Sequence, residues 1–266
     1  MSNTWSEIFA VHTYELDRQQ RASLRAICSY LIETAGHHTH EIGWSIPQLM
    51  EQDRSWFFSR FLLRMETYPG WRDKITVETW PPGSQKLLAL RDWRIFSGQQ
   101  LIGLATSGWL MIDIRNRRPL RPESYPEWKQ FLHPERTIPH TFVRLPSLGD
   151  AGEAAEAQRF RVRFSDVDIN GHANYLSYID WILEAVPPEI RDRHQVAEME
   201  VHFLREVNFA ERLESRARRI EEQMVHPIGR EPSEAIPAIQ FLHALVGNRE
   251  QTELVRARTV WRPAAP

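Results

Sequence analysis

The chain of 266 residues has a single cysteine, Cys28, so no disulfide can form within it. That poverty suits a reducing compartment. No stretch approaches the roughly 18 consecutive apolar residues that a spanning helix needs. The formal net charge is only -2, which removes the polycationic signature of a nucleic-acid binder. The opening segment MSNTWSEIFAVHTYEL lacks the basic and then apolar regions of a secretory signal. It also lacks the Arg- and Ser-rich, acid-poor character of a transit peptide. A cytosolic protein, with no membrane or nucleic-acid partner, is expected.

Tryptophan, by contrast, is plentiful, with ten residues that offer flat apolar surface for a core or a tunnel wall. Hydrophobic residues make up 42% and charged residues 26%, the balance of an ordinary globular protein. The length suits two domains rather than one.

Periodicity divides the chain into two passages of similar grammar. Trp5, Ile8, Phe9, Val11 and Tyr14 alternate like a strand over 5–15. Leu24, Ile27, Leu31 and Ala35 then make a helical stripe over 22–36, which Gly36 or Gly43 can end. Ile75, Val77 and Thr79 alternate before Pro81-Pro82-Gly83, which reads as a turn. Residues 88–96 and 101–114 read as hairpin arms around Ser97-Gly98. Residues 115–157 carry six prolines and end in AGEAAEA, which reads as connection rather than core, with a domain boundary inside 140–158. The second passage repeats the order. An alternating run at 158–164 precedes a helix at about 174–186 and strands at 197–207, 212–222, 236–246 and 252–262. Strand, helix and antiparallel strands, twice over, predict an α+β duplication.

The densest chemistry lies in FSDVDINGHANYLSYIDWILEAVP, residues 164–187. Asp166, Asp168, Asn170, His172 and Asn174 fall at every second position. Capping by Asn170 or Asn174 explains one or two of them but not five. Asp166, Asp168, Asn170 and Gly171 also fit the start of a calcium loop. Its closing position holds Ser177 instead of a glutamate, and no helix precedes it. The equivalent stretch of the first passage, YELDRQQRASL, has acids but no histidine, so one chain is expected to carry one site. His37, His38, His40 and Glu41 are a nominal metal-ligand set. They read instead as surface or interface residues at a helix end, and no metal or cofactor is expected.

The chain resembles the acyl-ACP thioesterases of plants and bacteria over nearly its whole length. The segment similar to that family's SDxDxNxHxNN...YxxWxxE is Ser165-Asp166, Asp168, Asn170, His172, Asn174, Tyr178, Trp181 and Glu184, with Tyr175 replacing the second Asn of the pair. LIETAGHHTHEIG, YPGWRDKITVETWP, Arg91-Asp92-Trp93 and DIRNRRPLRP match in order in the first passage. The resemblance implies two tandem hotdog domains, each an antiparallel sheet wrapped around a long central helix. An N-terminal domain at 1–145 would select the acyl chain and a C-terminal domain at 146–266 would be catalytic. It also implies hydrolysis of fatty acyl-[acyl carrier protein]. Asp168, Asn170 and His172 would be catalytic, joined by Glu206 from HFLREV, which is similar to the family's DYRREC; Val207 takes the place of that Cys. Asn174, Arg91, Asp92 and Trp93 would contact substrate. An acyl-CoA thioesterase and a non-catalytic acyl-binding protein remain as alternatives, as do a monomer and a homodimer.

Chemically, Glu206 beside Val207 and Phe209 is expected to sit in an apolar cleft and act as base or nucleophile. His172 would orient or activate water, with Asp168 fixing its tautomer. Asn170 would donate to substrate, and N–H groups opening the second helix would cradle the oxyanion. Arg115, Arg117, Arg118 and Arg121 form the densest basic run, which would face the acidic carrier protein or serve as a solvated turn.

Overall fold

A computed structural model describes residues 3–150, 156–169, 171–225, 228, 235–247 and 252–264. The chain divides into two compact units, Met1–Phe142 and Val143–Pro266.

Unit 1 opens with β1 (Trp5–Ala10), then α1 (Leu24–Glu41) and a short α2 (Ile46–Met50). Strands β2 (Arg54–Met65), β3 (Lys74–Gln85), β4 (Leu88–Ser97) and β5 (Gln100–Asp113) follow, then the short β6 (Arg118–Leu120) and α3 (Pro126–Lys129). The antiparallel order is β1-β3-β4-β5-β2, with β6 on β5. The Ser23 side chain caps α1 by accepting from the Ala26 N–H at 3.2 Å. Gly43, at φ +80°, supplies the left-handed residue that ends the helix, whereas Gly36 lies inside it. Leu24, Ile27, Leu31 and Ala35 are all buried, as the stripe predicts.

Pro81-Pro82-Gly83 is not a turn. β3 runs through it, with a register shift between Trp80 and Gly83. Two residues without N–H are tolerated there because a bulge needs no ladder donors. The Pro81 carbonyl accepts instead from the His133 N–H at 3.0 Å. β2, unanticipated from the sequence, fills the sheet edge opposite β1 in the unit's order.

The proline-rich stretch is largely exposed, but some of its side chains enter the core. Ile138 and Phe142 are buried against Leu62 and Leu90 of unit 1's sheet. Gln85 and Phe142 exchange hydrogen bonds, the Phe142 N–H donating and its carbonyl accepting. Asp92 is fully buried and gathers this strap. Its carboxylate accepts from the Thr106 hydroxyl, the Arg136 guanidinium and the Thr137 N–H, at 2.7, 3.1 and 2.8 Å.

Unit 2 has β7 (Glu156–Arg161), α4 (Tyr175–Glu184), α5 (Pro188–Arg191), β8 (His194–Phe203), β9 (Arg212–Val225), β10 (Ile236–Gly247) and β11 (Glu253–Pro263). Its antiparallel order is β8-β11-β10-β9-β7, and α4 packs on β9 and β10. Here too the connecting segment sends side chains into the core, with Leu145 and Leu148 buried. Leu148 packs on Leu242, Ala244 and Val246, and the Leu145 carbonyl accepts from Arg256 at 2.8 Å.

The same core hides a histidine. His243 is 1% exposed, and its Nε2 lies 2.7 Å from the Thr259 hydroxyl, which also accepts from the Trp261 indole. Burial pulls its pKa down from 6.5 to about 3. Below pH 6.5 the unfolded chain takes up a proton that the folded chain refuses, so stability falls as pH drops from 6.5 toward 3. This group alone is expected to cost about 2 kcal/mol at pH 5. Thermal unfolding of wild type and His243→Asn at pH 7 and pH 5 checks it. Equal pH sensitivity in both would rule His243 out as the cause.

Candidate active site

In unit 2 the polar stretch folds into a capped loop. Asp166 closes a single 3₁₀ turn, Phe164–Asp166, its carboxylate accepting from the Arg163 backbone N–H at 2.8 Å and from the Arg163 guanidinium at 3.0 Å. The Asp166 carbonyl accepts from the Asn174 N–H and the Ser177 hydroxyl. Asn174 is the N-cap of α4, its side chain accepting from the Leu176 N–H at 2.9 Å. Asp166 and Asn174 are therefore builders of the loop. That removes the calcium arrangement, since Asp166 is committed to Arg163 and Ser177 is buried in the helix. It also commits the side-chain oxygen of Asn174, expected at substrate, to the helix end. The N–H groups of Asn174, Leu176 and Ser177 are already bonded within the loop and the helix end.

Between the caps, the Asp168 N–H donates to the His172 carbonyl at 2.8 Å and Gly171 turns the chain at φ +82°. His172 bridges to Asn208, and the Ala173 N–H donates to the Val207 carbonyl at 2.8 Å. This short ladder sets the loop beside the segment after β8. His172 Nε2 then stands 3.5 Å from a Glu206 carboxylate oxygen, with side chains 38% and 53% exposed. Two residues 34 positions apart in sequence are brought together as expected. The carboxylate 3.5 Å from the imidazole is that of Glu206. Among the described residues no apolar cleft encloses Glu206, whose side chain is half exposed. A recess of about 810 Å³ beside it mixes Arg205, Asn208 and Arg212 with Phe209 and Leu254. Val207, in the place of the family's Cys, is buried at 1% exposure. Asn170 lies outside the described residues.

Unit 1 contains the same loop without the chemistry. Its 3₁₀ turn, Thr13–Glu15, is closed by the Glu15 carboxylate accepting from the His12 N–H at 2.7 Å. The Glu15 carbonyl accepts from the N–H of Ser23, the cap of α1. The Asp17 N–H donates to the Arg21 carbonyl at 2.7 Å, Arg21 bridges to Gly70, and the Ala22 N–H donates to the Pro69 carbonyl. Bond for bond, Arg21 occupies the place of His172, and Tyr68 that of Glu206. The Asp17 carboxylate accepts from the Gln19 and Arg21 N–H groups, at 2.8 and 3.1 Å. Tyr68 is buried. The fold supports this loop with or without the dyad, so capping and catalysis are separable.

The remaining candidates lie inside unit 1. Trp93 is fully buried, its indole donating to the Leu31 carbonyl at 2.8 Å. Arg91, at 4% exposure, lies 3.1 Å from His38 Nδ1 and donates to Thr79 at 3.2 Å; burial lowers its pKa to about 9. Arg91 and Trp93 thus face α1, while Asp92 faces the strap. The histidine group at the end of α1 disperses. His37 pairs with Glu7 at 2.6 Å on the surface, but His38 is fully buried rather than at a surface or interface. Among the described residues no group of acidic, histidine and cysteine side chains converges as a metal site.

Comparison with known proteins places both units in one family. The acyl-ACP thioesterase N-terminal domain matches residues 2–124, and the C-terminal domain of the same family matches 149–263. A palmitoyl-acyl carrier protein thioesterase of Cuphea hookeriana is 28% identical over 269 residues, covering 96% of this chain. An oleoyl-acyl carrier protein thioesterase of Coriandrum sativum is 26% identical, covering 97% of this chain and 77% of its own length. The chain spans about three fifths of the Cuphea proteins it matches, 61% in the first case. Among solved structures, an acyl-ACP thioesterase from Bacteroides thetaiotaomicron superposes with a TM-score of 0.81 at 21% identity, covering 98% of both chains. The 12:0-ACP thioesterase from Umbellularia californica gives 0.79 at 23%, covering 98% of this chain and 94% of its own. Two tandem hotdog domains are therefore the architecture, and the chain belongs to the acyl-ACP thioesterase family.

Proposed function

We propose that the protein hydrolyses the thioester of fatty acyl-[acyl carrier protein], with unit 2 as the catalytic domain. The observation that carries this is the approach of His172 to Glu206 in one copy of a duplicated loop, against Arg21 and Tyr68 in the other. A fold that needs neither residue to close the loop has kept an imidazole–carboxylate pair at one of its two equivalent places.

In this scheme Nε2 of His172 holds its proton toward Glu206, and Nδ1 takes a proton from water as its oxygen attacks the acyl carbon. The carboxylate stabilises the imidazolium that results. Collapse of the tetrahedral centre breaks the carbon–sulfur bond, and the imidazolium returns the proton to the departing thiolate. Fatty acid and the pantetheine thiol leave. Asp168, whose N–H donates to the His172 carbonyl, would fix the imidazole's tautomer. Asn170 donates to the substrate oxygen. Attack by Glu206 itself, through an anhydride, is disfavoured by its pairing with His172. No cysteine nucleophile or cofactor is required. The single cysteine suits a cytosolic setting.

Unit 1 would select the acyl chain, with Arg91 and Trp93 shaping the space beside α1 where a tail would run. Hydrolysis rates on acyl-ACP and acyl-CoA series of increasing chain length test this reading. Preference for the carrier protein is the expected result, and no thioester cleavage on either series would overturn it.

The basic run supplies a docking candidate in the same assay. Arg115 pairs with Asp53 at 2.6 Å, whereas the exposed Arg117, Arg118 and Arg121 form no ion pair with a described residue. Replacing Arg117 and Arg118 by glutamate is expected to lower kcat/KM on acyl-ACP about 10-fold at low salt. Acyl-CoA turnover should barely change. Equal losses on both would remove the run from docking.

A further inference from the structure

The recess beside Glu206 holds more than the dyad uses. It measures about 810 Å³, with Arg205, Glu206, Phe209, Arg212 and Leu254 among its walls. That is the size of a cleft that takes a small ligand. Its acids and bases are unequally engaged. The Glu206 carboxylate stands 3.5 Å from His172. The Glu211 carboxylate accepts from the Asn208 backbone N–H and side-chain amide, at 3.2 and 2.7 Å. Arg205 and Arg212 form no ion pair with a described residue. The Arg205 backbone is fixed, its N–H donating to the Leu254 carbonyl at 3.2 Å. Two guanidinium groups on one recess repel each other, and an anion between them reverses the sign of that interaction.

The duplicated loop supplies the control. The turn at 207–211 is repeated at 69–73. The Ala210 and Arg72 N–H groups donate to the Val162 and Val11 carbonyls, and both residues are left-handed, at φ +65° and +67°. An exposed aromatic residue precedes each, Phe209 in one copy and Trp71 in the other. By this alignment Arg212 matches Lys74, but Arg205 matches Thr67. The turn closes without an arginine at that place. Only the copy with the dyad puts one next to the acid.

We propose that this recess seats the phosphopantetheine arm of the substrate, with Phe209 against the arm's hydrocarbon and Arg205 and Arg212 on its phosphate. The assignment rests on the thioesterase reading of His172 and Glu206. It adds the groups that distinguish a phosphorylated thioester from an unphosphorylated one. A planar guanidinium takes two phosphate oxygens at once. Glu206, at one wall, marks the end of the recess where the thioester would lie.

The test compares thioesters of one acyl chain on 4′-phosphopantetheine and on pantetheine, which differ only in the phosphate. Wild type should favour the phosphorylated thioester by about 10-fold in kcat/KM, mainly through KM. Arg205→Gln/Arg212→Gln should bring that ratio to within about twofold of unity. Both arginines are exposed, so the unfolding temperature should hold. Acyl-ACP and acyl-CoA share the arm and should lose alike in this variant, unlike the effect expected at Arg117 and Arg118. A ratio preserved in the variant, a wild type with no preference, or a loss confined to acyl-ACP would overturn the assignment. Calorimetric binding of 4′-phosphopantetheine and of pantetheine needs no turnover. If wild type cleaves no thioester, the hydrolase reading fails by itself. Tighter binding of the phosphorylated compound, lost in the variant, would still support the recess as its seat, and equal binding of the two would overturn it.

Discussion

Replacing His172 by alanine is expected to lower kcat for acyl-ACP hydrolysis by roughly 10²- to 10⁴-fold, the usual loss of a general acid–base group. Folding should survive. The imidazole is 38% exposed, and its backbone, not its side chain, makes the bridge to Asn208. Arg21 shows that a quite different side chain is accepted at this place in the loop. Glu206→Gln should lose turnover to a similar extent, and the double variant should be little worse than either, because two groups that act as a unit are lost together. Rates of thioester cleavage, read beside thermal unfolding, check all three. A folded His172→Ala protein with near-normal turnover would take the imidazole out of the mechanism. Additive losses would mean that the 3.5 Å approach has no catalytic meaning.

The second large effect is on stability. Asp92→Ala is expected to destabilise the protein by about 3–5 kcal/mol, the range for breaking a buried, hydrogen-bonded charge pair. The carboxylate has no solvent exposure, and its removal leaves Arg136, Thr106 and Thr137 without their shared acceptor. Asp92→Asn should cost less, since one oxygen remains to accept. Denaturant unfolding gives the magnitude, and protease cleavage within 133–142 reports release of the strap. A loss under about 1 kcal/mol would show that the network adds little beyond its own desolvation. Arg91 and Trp93, next in the strand, point to the opposite face and should not release the strap.

Much of this was legible beforehand, for identifiable reasons. α1 and α4 announced themselves because Leu24, Ile27 and Leu31, and later Tyr178, Ile179 and Ile182, mark one buried face. The β4–β5 hairpin followed from alternation about Gly98, whose φ of +58° a two-residue turn requires. β2 escaped notice because Phe61, Leu62 and Leu63 are all buried, so both faces of the strand are covered and no period of two survives. Pro81-Pro82-Gly83 misled because the bulge that accepts the prolines depends on a partner strand and on His133, neither visible locally.

At the site, the density of polar residues before α4 and the family pattern pointed to His172 and Glu206. Their division of labour was not legible. Asp166 and Asn174 look as catalytic as their neighbours until their bonds to Arg163 and Leu176 are seen.

The segment that joins the halves carries a practical lesson for recombination. Ile138 and Phe142 belong to the first hotdog as firmly as any strand residue, and Leu145 and Leu148 belong to the second. A crossover placed at 145/146, where proline content and sequence pattern suggest a spacer, would give the Leu145 carbonyl to one parent and its Arg256 donor to the other. Chimeras between relatives should tolerate exchange only in the narrow gap at 143–144. Insertions beside Ile138, Phe142, Leu145 or Leu148 should behave like insertions into a core strand.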